Sequence, residues 1–178
     1  MAGTLEPPYP PLAWDLYFWT GPFVLPAWAG FRSRRERDRP RDFTPPVSDG
    51  SASLNVMTPG DGPAPPAPAQ AAAYLHLVEH QEEIRDAILK SVLRNYDGDQ
   101  MPDLQDPEEL RPLIGLSGVN IFTVAKDGIA YVGFEFRCTW EEEHGLGAMT
   151  HAGRVVGVGH ADMGILEWIA EQDAKQAH

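Results

Sequence analysis

The sequence has little with which to build cross-links, span a membrane or hold nucleic acid. Cys138 is the one cysteine in 178 residues, so an internal disulfide and a cysteine-based zinc site are excluded, and a reducing, cytoplasmic setting is expected. No run approaches the roughly 18 consecutive apolar residues that a membrane span needs. The N-terminal MAGTLEPPYPPLAWD lacks a basic segment followed by an apolar one, so no secretory leader is expected either. Basic residues are scarce: 14 Lys and Arg stand against 26 Asp and Glu, for a formal net charge of -12. That balance argues against nucleic acid as a ligand, because phosphate binding rests on Lys and Arg displacing counterions.

What is present is unevenly distributed. Hydrophobic residues make up 43% of the chain and aromatics 10%, enough for a folded core at this length. Of 17 prolines, 14 fall within residues 1–70. Charge divides as well: residues 1–70 hold six Arg against seven acids, and residues 71–178 hold eight basic against 19 acidic side chains, a net of -11. The acidity therefore belongs to the second part of the chain. The six early arginines all lie between Arg32 and Arg41, interleaved with Glu36 and Asp38, and read as a solvated turn or strand edge.

The pattern predicts an α+β fold: an antiparallel sheet of N-terminal hairpins and a C-terminal meander, packed on one long helix and a C-terminal helix, in a single domain over 1–178. WDLYFW and FVLPAWAGF are too aromatic for a disordered tail. Residues 1–56 are read as strands, with a turn at Thr20-Gly21-Pro22, a bulge or edge at Pro26, and a second hairpin around Asp49-Gly50. Residues 57–70 read as a proline-rich linker. Tyr74, Leu77, Val78, Ile84, Ile88 and Val92 recur at helical spacing and predict one helix over 71–98. A short helix is expected over 106–114, with Asp106 capping and Pro107 in the first position.

From 119 to 160 the period is two. Lys126-Asp127-Gly128 and Ala152-Gly153 mark hairpin turns, and Glu141 to His144 is read as a four-residue loop. That loop length would oppose Phe136 to Met149 and put Val132, Phe134, Phe136, Cys138, Trp140, Met149, Val156 and Val158 on one core face. Over 162–174 a last helix is expected, capped by Asp162 and burying Ile165, Leu166, Trp168 and Ile169.

The same pairing brings the chemically suggestive residues to one end of the meander: Glu141, Glu142, Glu143 and His144 in the loop, His160 and Asp162 beside it. Carboxylates and imidazoles together can bind a divalent metal, do acid and base chemistry, or meet a basic partner. Their spacing matches no metal motif. Cys138 is expected to be a buried, inert thiol, and His151 to be exposed. GLSG, GLG and GVGHAD lack the strand-to-helix context of a phosphate loop, so no cofactor is expected. A calcium-loop arrangement of Asp97, Asp99, Asp103 and Glu108 fails at Met101 and Pro102, where a ligand and a glycine are needed.

KDGIAYVGFEF from Lys126, CTWEEEHGLG from Cys138, Arg154-Val155-Val156 and Ala161-Asp162 together resemble a family of uncharacterised bacterial proteins. That family is a domain of unknown function with a signature of the form GFEFxCxWDxEHGLG, a short hairpin, then RVVxxGxAD. The signature positions here are Phe134, Phe136, Cys138, Trp140, Gly145, Gly147 and Asp162. The resemblance spans about residues 113 to 170 and is looser around Trp14-Asp15 and Leu25 to Phe31. Glu141 stands where the family has Asp, and Gly157 and His160 replace an acidic residue and a glycine. The resemblance implies a small bacterial cytosolic α+β domain and no particular reaction.

Two functional classes follow. The first is a protein-binding module, of the immunity type in its most specific form, whose acidic part meets a basic partner such as a toxin. The second is a metal-dependent or acid and base enzyme using Glu141, Glu143, His144, His160 and Asp162. A structural domain without a ligand is the simplest alternative. No catalytic residue is assigned, since no assembled catalytic set is legible.

Overall fold

The computed structural model describes residues 5, 7–33 and 47–176, so apart from Arg32 the arginine run lies outside the described residues. Seven strands stand side by side in chain order: β1 (Ala13–Asp15), β2 (Phe18–Arg32), β3 (Val47–Met57), β4 (Ile114–Lys126), β5 (Ile129–Cys138), β6 (Leu146–His151) and β7 (Arg154–Gly159). Neighbours are antiparallel except β3 and β4, where Ser53–Val56 runs parallel to Gly118–Ile121. The sheet is thus mixed, not purely antiparallel, and the class is α+β. A parallel pair cannot be joined by a tight turn. The chain between Met57 and Ile114 crosses over instead, through α1 (Pro68–Glu79), α2 (Gln81–Asn95) and a 3₁₀ turn at Pro107–Leu110.

The core forms where the crossover helices meet one face of the sheet. Leu77 of α1 and Ile84, Ile88, Leu89 and Val92 of α2 are buried with Trp28, Phe31, Phe134 and Phe136. Trp28 sits 5.0 Å from Phe31 and 4.9 Å from Phe136, ring centre to ring centre, in tilted contacts. Helix α2 touches both β2 and β7, near opposite edges of the sheet, so the sheet curls around it. On the other face Phe122, Tyr131 and Met149 pack against Ala170 of α3 (Glu167–Ala174). The C-terminal helix thus covers this second face. No helix among the described residues is long and apolar enough to cross a membrane.

Several expected elements are redrawn. The helix over 71–98 is two helices, broken at His80, whose φ of -111° and ψ of 23° are not helical. The break is held by Gln81, whose side-chain carbonyl accepts from Ala27 N–H at 2.9 Å while its amide donates to the Val78 carbonyl at 3.0 Å. It leaves Val78 exposed instead of buried. The first hairpin turns at Leu16-Tyr17, and β2 runs straight through Thr20-Gly21-Pro22. Val47 to Val56 is one strand, not a hairpin. Its Asp49-Gly50 lies opposite a register shift in β2 between Val24 and Ala29, which includes Pro26. Gly50 has φ +93°, and a Cβ there would lie 2.3 Å from the Leu25 carbonyl, so the glycine serves the bulge. Asp106 does cap the next element, accepting from Glu108 N–H at 2.9 Å, but the turn stops at Leu110 and β4 begins at Ile114.

In the meander the Asp127-Gly128 turn has positive φ at both residues, as a two-residue hairpin requires. His151 opposes Arg154 across the last turn. Between β5 and β6 the expected register is wrong by three: Phe136 faces Leu146, and Met149 faces Gly133. The loop spans residues 139–145, because β5 stays paired with β4 beyond its last partner in β6: Cys138 opposes Ile114, and Thr139 N–H donates to the Leu113 carbonyl at 3.0 Å. An odd shift moves side chains to the opposite face, so Leu146 and Ala148 join the helix-covered core while Met149 joins Phe122 and Tyr131. His151 is half-buried, its ring nitrogen 2.9 Å from the Lys126 carbonyl and its ring 4.5 Å from that of Tyr131.

The crossover is anchored by one buried amide. Gln70, fully buried at the start of α1, donates from Nε2 to the Met57 carbonyl at 2.9 Å and the Ile121 carbonyl at 3.3 Å, and its Oε1 accepts from Ala67 N–H at 2.9 Å. It therefore ties the helix to the end of β3 and to β4 where their parallel pairing ends. Gln70→Leu keeps the volume but strips these backbone groups of their partner. It is expected to lower the unfolding free energy by about 2 kcal/mol or more, measured by urea denaturation; an unchanged midpoint would show that the amide is dispensable.

Candidate functional site

The loop after β5 is ordered from within. Glu141 Oε1 accepts from His144 N–H at 3.3 Å and lies 3.2 Å from His144 Nδ1. Its backbone carbonyl accepts from Gly145 N–H at 2.9 Å and from the Cys138 thiol at 3.4 Å. The His144 N–H, and then its ring, hold the Glu141 carboxyl below the usual carboxylate range. The ordering this carboxylate supplies is present at neutral pH and lost as pH falls through that lowered value. Glu142, Glu143 and His144 face solvent.

His160 reaches this loop from the end of β7. Its ring stacks on His144 at 5.3 Å and 22° and lies 6.3 Å from Tyr96, which in turn meets Trp140 edge-on at 5.8 Å. What brings it there is a 3₁₀ turn at Ala161–Gly164 seated on strand glycines. A Cβ on Gly133 would lie 2.0 Å from the Gly164 carbonyl oxygen, and one on Gly147 2.5 Å from that of His160. Only bare backbone lets the turn lie so close to β5 and β6. Two hydrogen bonds complete the seat: Ala161 N–H to the His144 carbonyl at 2.8 Å, and Asn120 Nδ2 to the Gly164 carbonyl at 2.9 Å.

Of the six expected site residues, Glu141, His144 and His160 are therefore brought into one cluster. Glu142 and Glu143 line an adjoining cavity of about 130 Å³ together with Arg32, Ser117, Glu135 and Arg137. Asp162 is separate: it borders a different cleft, beside Met163 and Leu166. Nor does it cap the last helix, which starts at Glu167 behind Leu166 without a side-chain cap; only the Asp162 backbone carbonyl accepts, from Ile165 and Leu166 N–H. Among the described residues no three His, Cys, Asp or Glu side chains are placed to hold a metal ion. The cluster sets one carboxylate against two stacked imidazole rings at the surface, where it can present charge and hydrogen-bonding groups.

Other residues that build the region carry no spacing signal. Asn120 is buried and also donates to Glu135 Oε2 at 2.8 Å, while its Oδ1 accepts from Asn55 at 2.9 Å, and Asn55 accepts from the Thr20 hydroxyl at 2.7 Å. This polar row crosses β2, β3, β4 and β5. Asp173 of α3 is buried and accepts from the Tyr131 hydroxyl at 2.7 Å and from Arg154 at 3.1 and 2.5 Å. Burial, and then Asp173, push the Tyr131 pKa well above the usual tyrosine value. A strand tyrosine, a hairpin arginine and a helix aspartate far apart in sequence gave no hint of one another.

A family model described as a domain of unknown function (DUF6985) matches residues 33–166. No curated protein and no solved structure matches the chain. The loop, both histidines and the two strand glycines of the seat all fall within the matched residues.

Two measurements test this geometry. Gly147→Ala is expected to lower stability by about 1–3 kcal/mol and to part His160 from His144, seen as loss of the ring-current shifts between the two imidazoles in proton spectra. Gly153→Ala, at a position with open space around it, is the control and leaves both unchanged. Burial pushes the Cys138 thiol up to about 11, so iodoacetamide at pH 8 should leave the native protein unmodified and label it fully in guanidinium. Rapid alkylation of the native protein would contradict a buried thiol.

Proposed function

The chain belongs to the family of that domain of unknown function (DUF6985), and from this premise we propose that it is a bacterial cytoplasmic protein-binding module that engages a basic partner protein. The observation that carries this reading is the pre-ordered acidic loop. Glu142, Glu143 and His144 are exposed on a turn whose shape is set by hydrogen bonds to Glu141, so contact with a partner orders little additional backbone. The loop lies in the part of the chain that carries a net charge of -11. Opposite charge speeds encounter, and carboxylates desolvated against Lys or Arg set the register of the complex.

The specific form of this reading is an immunity-type protein that neutralises a basic toxin, since an acidic surface covering catalytic or nucleic-acid-binding Lys and Arg is a direct way to block them. The resemblance to small bacterial domains and the exposed carboxylates support it.

Affinity capture from cells of the source organism, followed by stopped-flow kinetics with the purified partner, tests the reading. The expected partner is basic, its association rate falls about tenfold or more between low and physiological salt, and Glu142→Gln with Glu143→Gln slows association without changing the melting temperature. Association indifferent to salt and to that double substitution would refute it.

A further inference from the structure

The corner between α1 and α2 carries two histidines in unlike surroundings. The rings of His76 and His80 lie 4.4 Å apart, centre to centre, at 33°. His80 is flanked by carboxylates, with its Nδ1 3.4 Å from Glu83 and its Nε2 3.8 Å from Glu79. A proton on His80 therefore meets opposite charge directly. His76 differs: its Nε2 is buried and has no hydrogen-bond partner.

That nitrogen is well placed only while the ring is neutral. A neutral imidazole can carry its one hydrogen on Nδ1 and leave Nε2 as a bare lone pair, whereas the imidazolium has an N–H at both positions and needs an acceptor for each. His76 borders a cavity of about 10 Å³ together with Leu77, Ile84, Ile129 and Val132. Thr150, a polar residue of the same lining, donates its hydroxyl to the Val132 carbonyl at 3.0 Å and makes no bond to His76. The space is at the lower limit for one water and too small for a carboxylate. Among charged neighbours, Glu79 and Glu83 favour a proton on His76, while His80 and His151 oppose it. Burial is the largest influence, and it leaves the ring below the ordinary imidazole value. His151 is itself fixed, its ring nitrogen 2.9 Å from the Lys126 carbonyl and 3.2 Å from that of Ile129.

We propose that His76 makes the α1–α2 corner an acid-sensitive latch: the neutral ring lets the corner close on the sheet, and a proton on it, beside a charged His80, drives the corner open. The latch also reaches β2. Gln81 accepts from Ala27 N–H at 2.9 Å and Arg85 Nη1 donates to the Ala27 carbonyl at 3.1 Å, so opening releases β2 at that point from the helices. The closed form prefers the neutral ring. Closure is therefore at full strength above the ordinary imidazole value, about 6.5, and weakens as pH falls below it toward the lowered value. The ordering that Glu141 gives the acidic loop fades only in the lower, carboxylate range. The latch is independent of the basic-partner reading.

Hydrogen exchange of the full chain, followed amide by amide between pH 7.5 and 5.5 and corrected for intrinsic exchange rates, tests it. The His80 and Ile84 amides, bonded to the His76 and His80 carbonyls, report on the corner, and Val119 and Phe134, paired in the central ladder, report on the sheet. The expected result is a corner opening constant that rises with acid by up to about tenfold, the limit for one linked proton over this range, while the ladder stays protected. His76→Phe keeps a ring of similar shape that cannot take a proton, and it is expected to abolish the rise. No rise in the native chain, an equal rise in His76→Phe, or corner amides that exchange only together with Val119 and Phe134 would overturn the latch. Should His76→Phe fail to fold, proton spectra of the native imidazoles decide: the latch requires His76 to titrate below about 6.5, and a midpoint at or above that value refutes it.

Discussion

The parallel pairing of β3 with β4 is the constraint on which the rest of the architecture depends. Every other strand junction is antiparallel and local, but this one requires the chain to leave the sheet at Met57 and re-enter at Ile114. The crossover supplies the helices that cover one face, and with them the main core. Its register is fixed where backbone and side chains agree: Asn55 opposes Asn120 in the ladder, the two amides bond each other, and Gln70 closes the Met57 and Ile121 carbonyls where the parallel pairing ends. Buried amides of this kind are costly when unpaired. They are paired only in this arrangement, so they specify it.

The same polar row leads to the candidate site. Asn120 reaches past its own strand to the Gly164 carbonyl, and Gly133 and Gly147 remove the side chains that would keep the 3₁₀ turn off the sheet. Because that turn lies flat on β5 and β6, His160 meets His144, and the acidic loop is braced by the Ala161 N–H. The acidic loop and the apolar cleft along α3 flank this one short turn.

Hairpin turns with a strong local preference were legible. Asp127-Gly128 and Ala152-Gly153 turn where their residue types require, and Asp106-Pro107 opens a helical turn as expected. The approach of His160 to His144 was also foreseen, although from a wrong register: the loop is three residues longer than its four-residue reading, yet both histidines stay at the same end of the sheet. The faces of β6 were not legible, because an odd slip exchanges them without changing the alternation on which they were read. Thr20-Gly21-Pro22 and Asp49-Gly50 read as turns but serve a continuous strand and a bulge, where glycine answers to close packing across the pair instead of a chain reversal.

The sequence by itself determined the α+β class, the acidic second half, the positions of the strongest turns and the inert environment of Cys138, since each depends on composition or on residues within a few positions of one another. Tertiary structure alone decided the parallel junction, the break at His80 and the outward rotation of α3. In each case a buried polar side chain, Gln70, Gln81 or Asp173, takes partners remote in sequence. The energy of satisfying those groups outweighs the periodic apolar pattern around them. For that reason Trp168, which reads as core, stands at the surface.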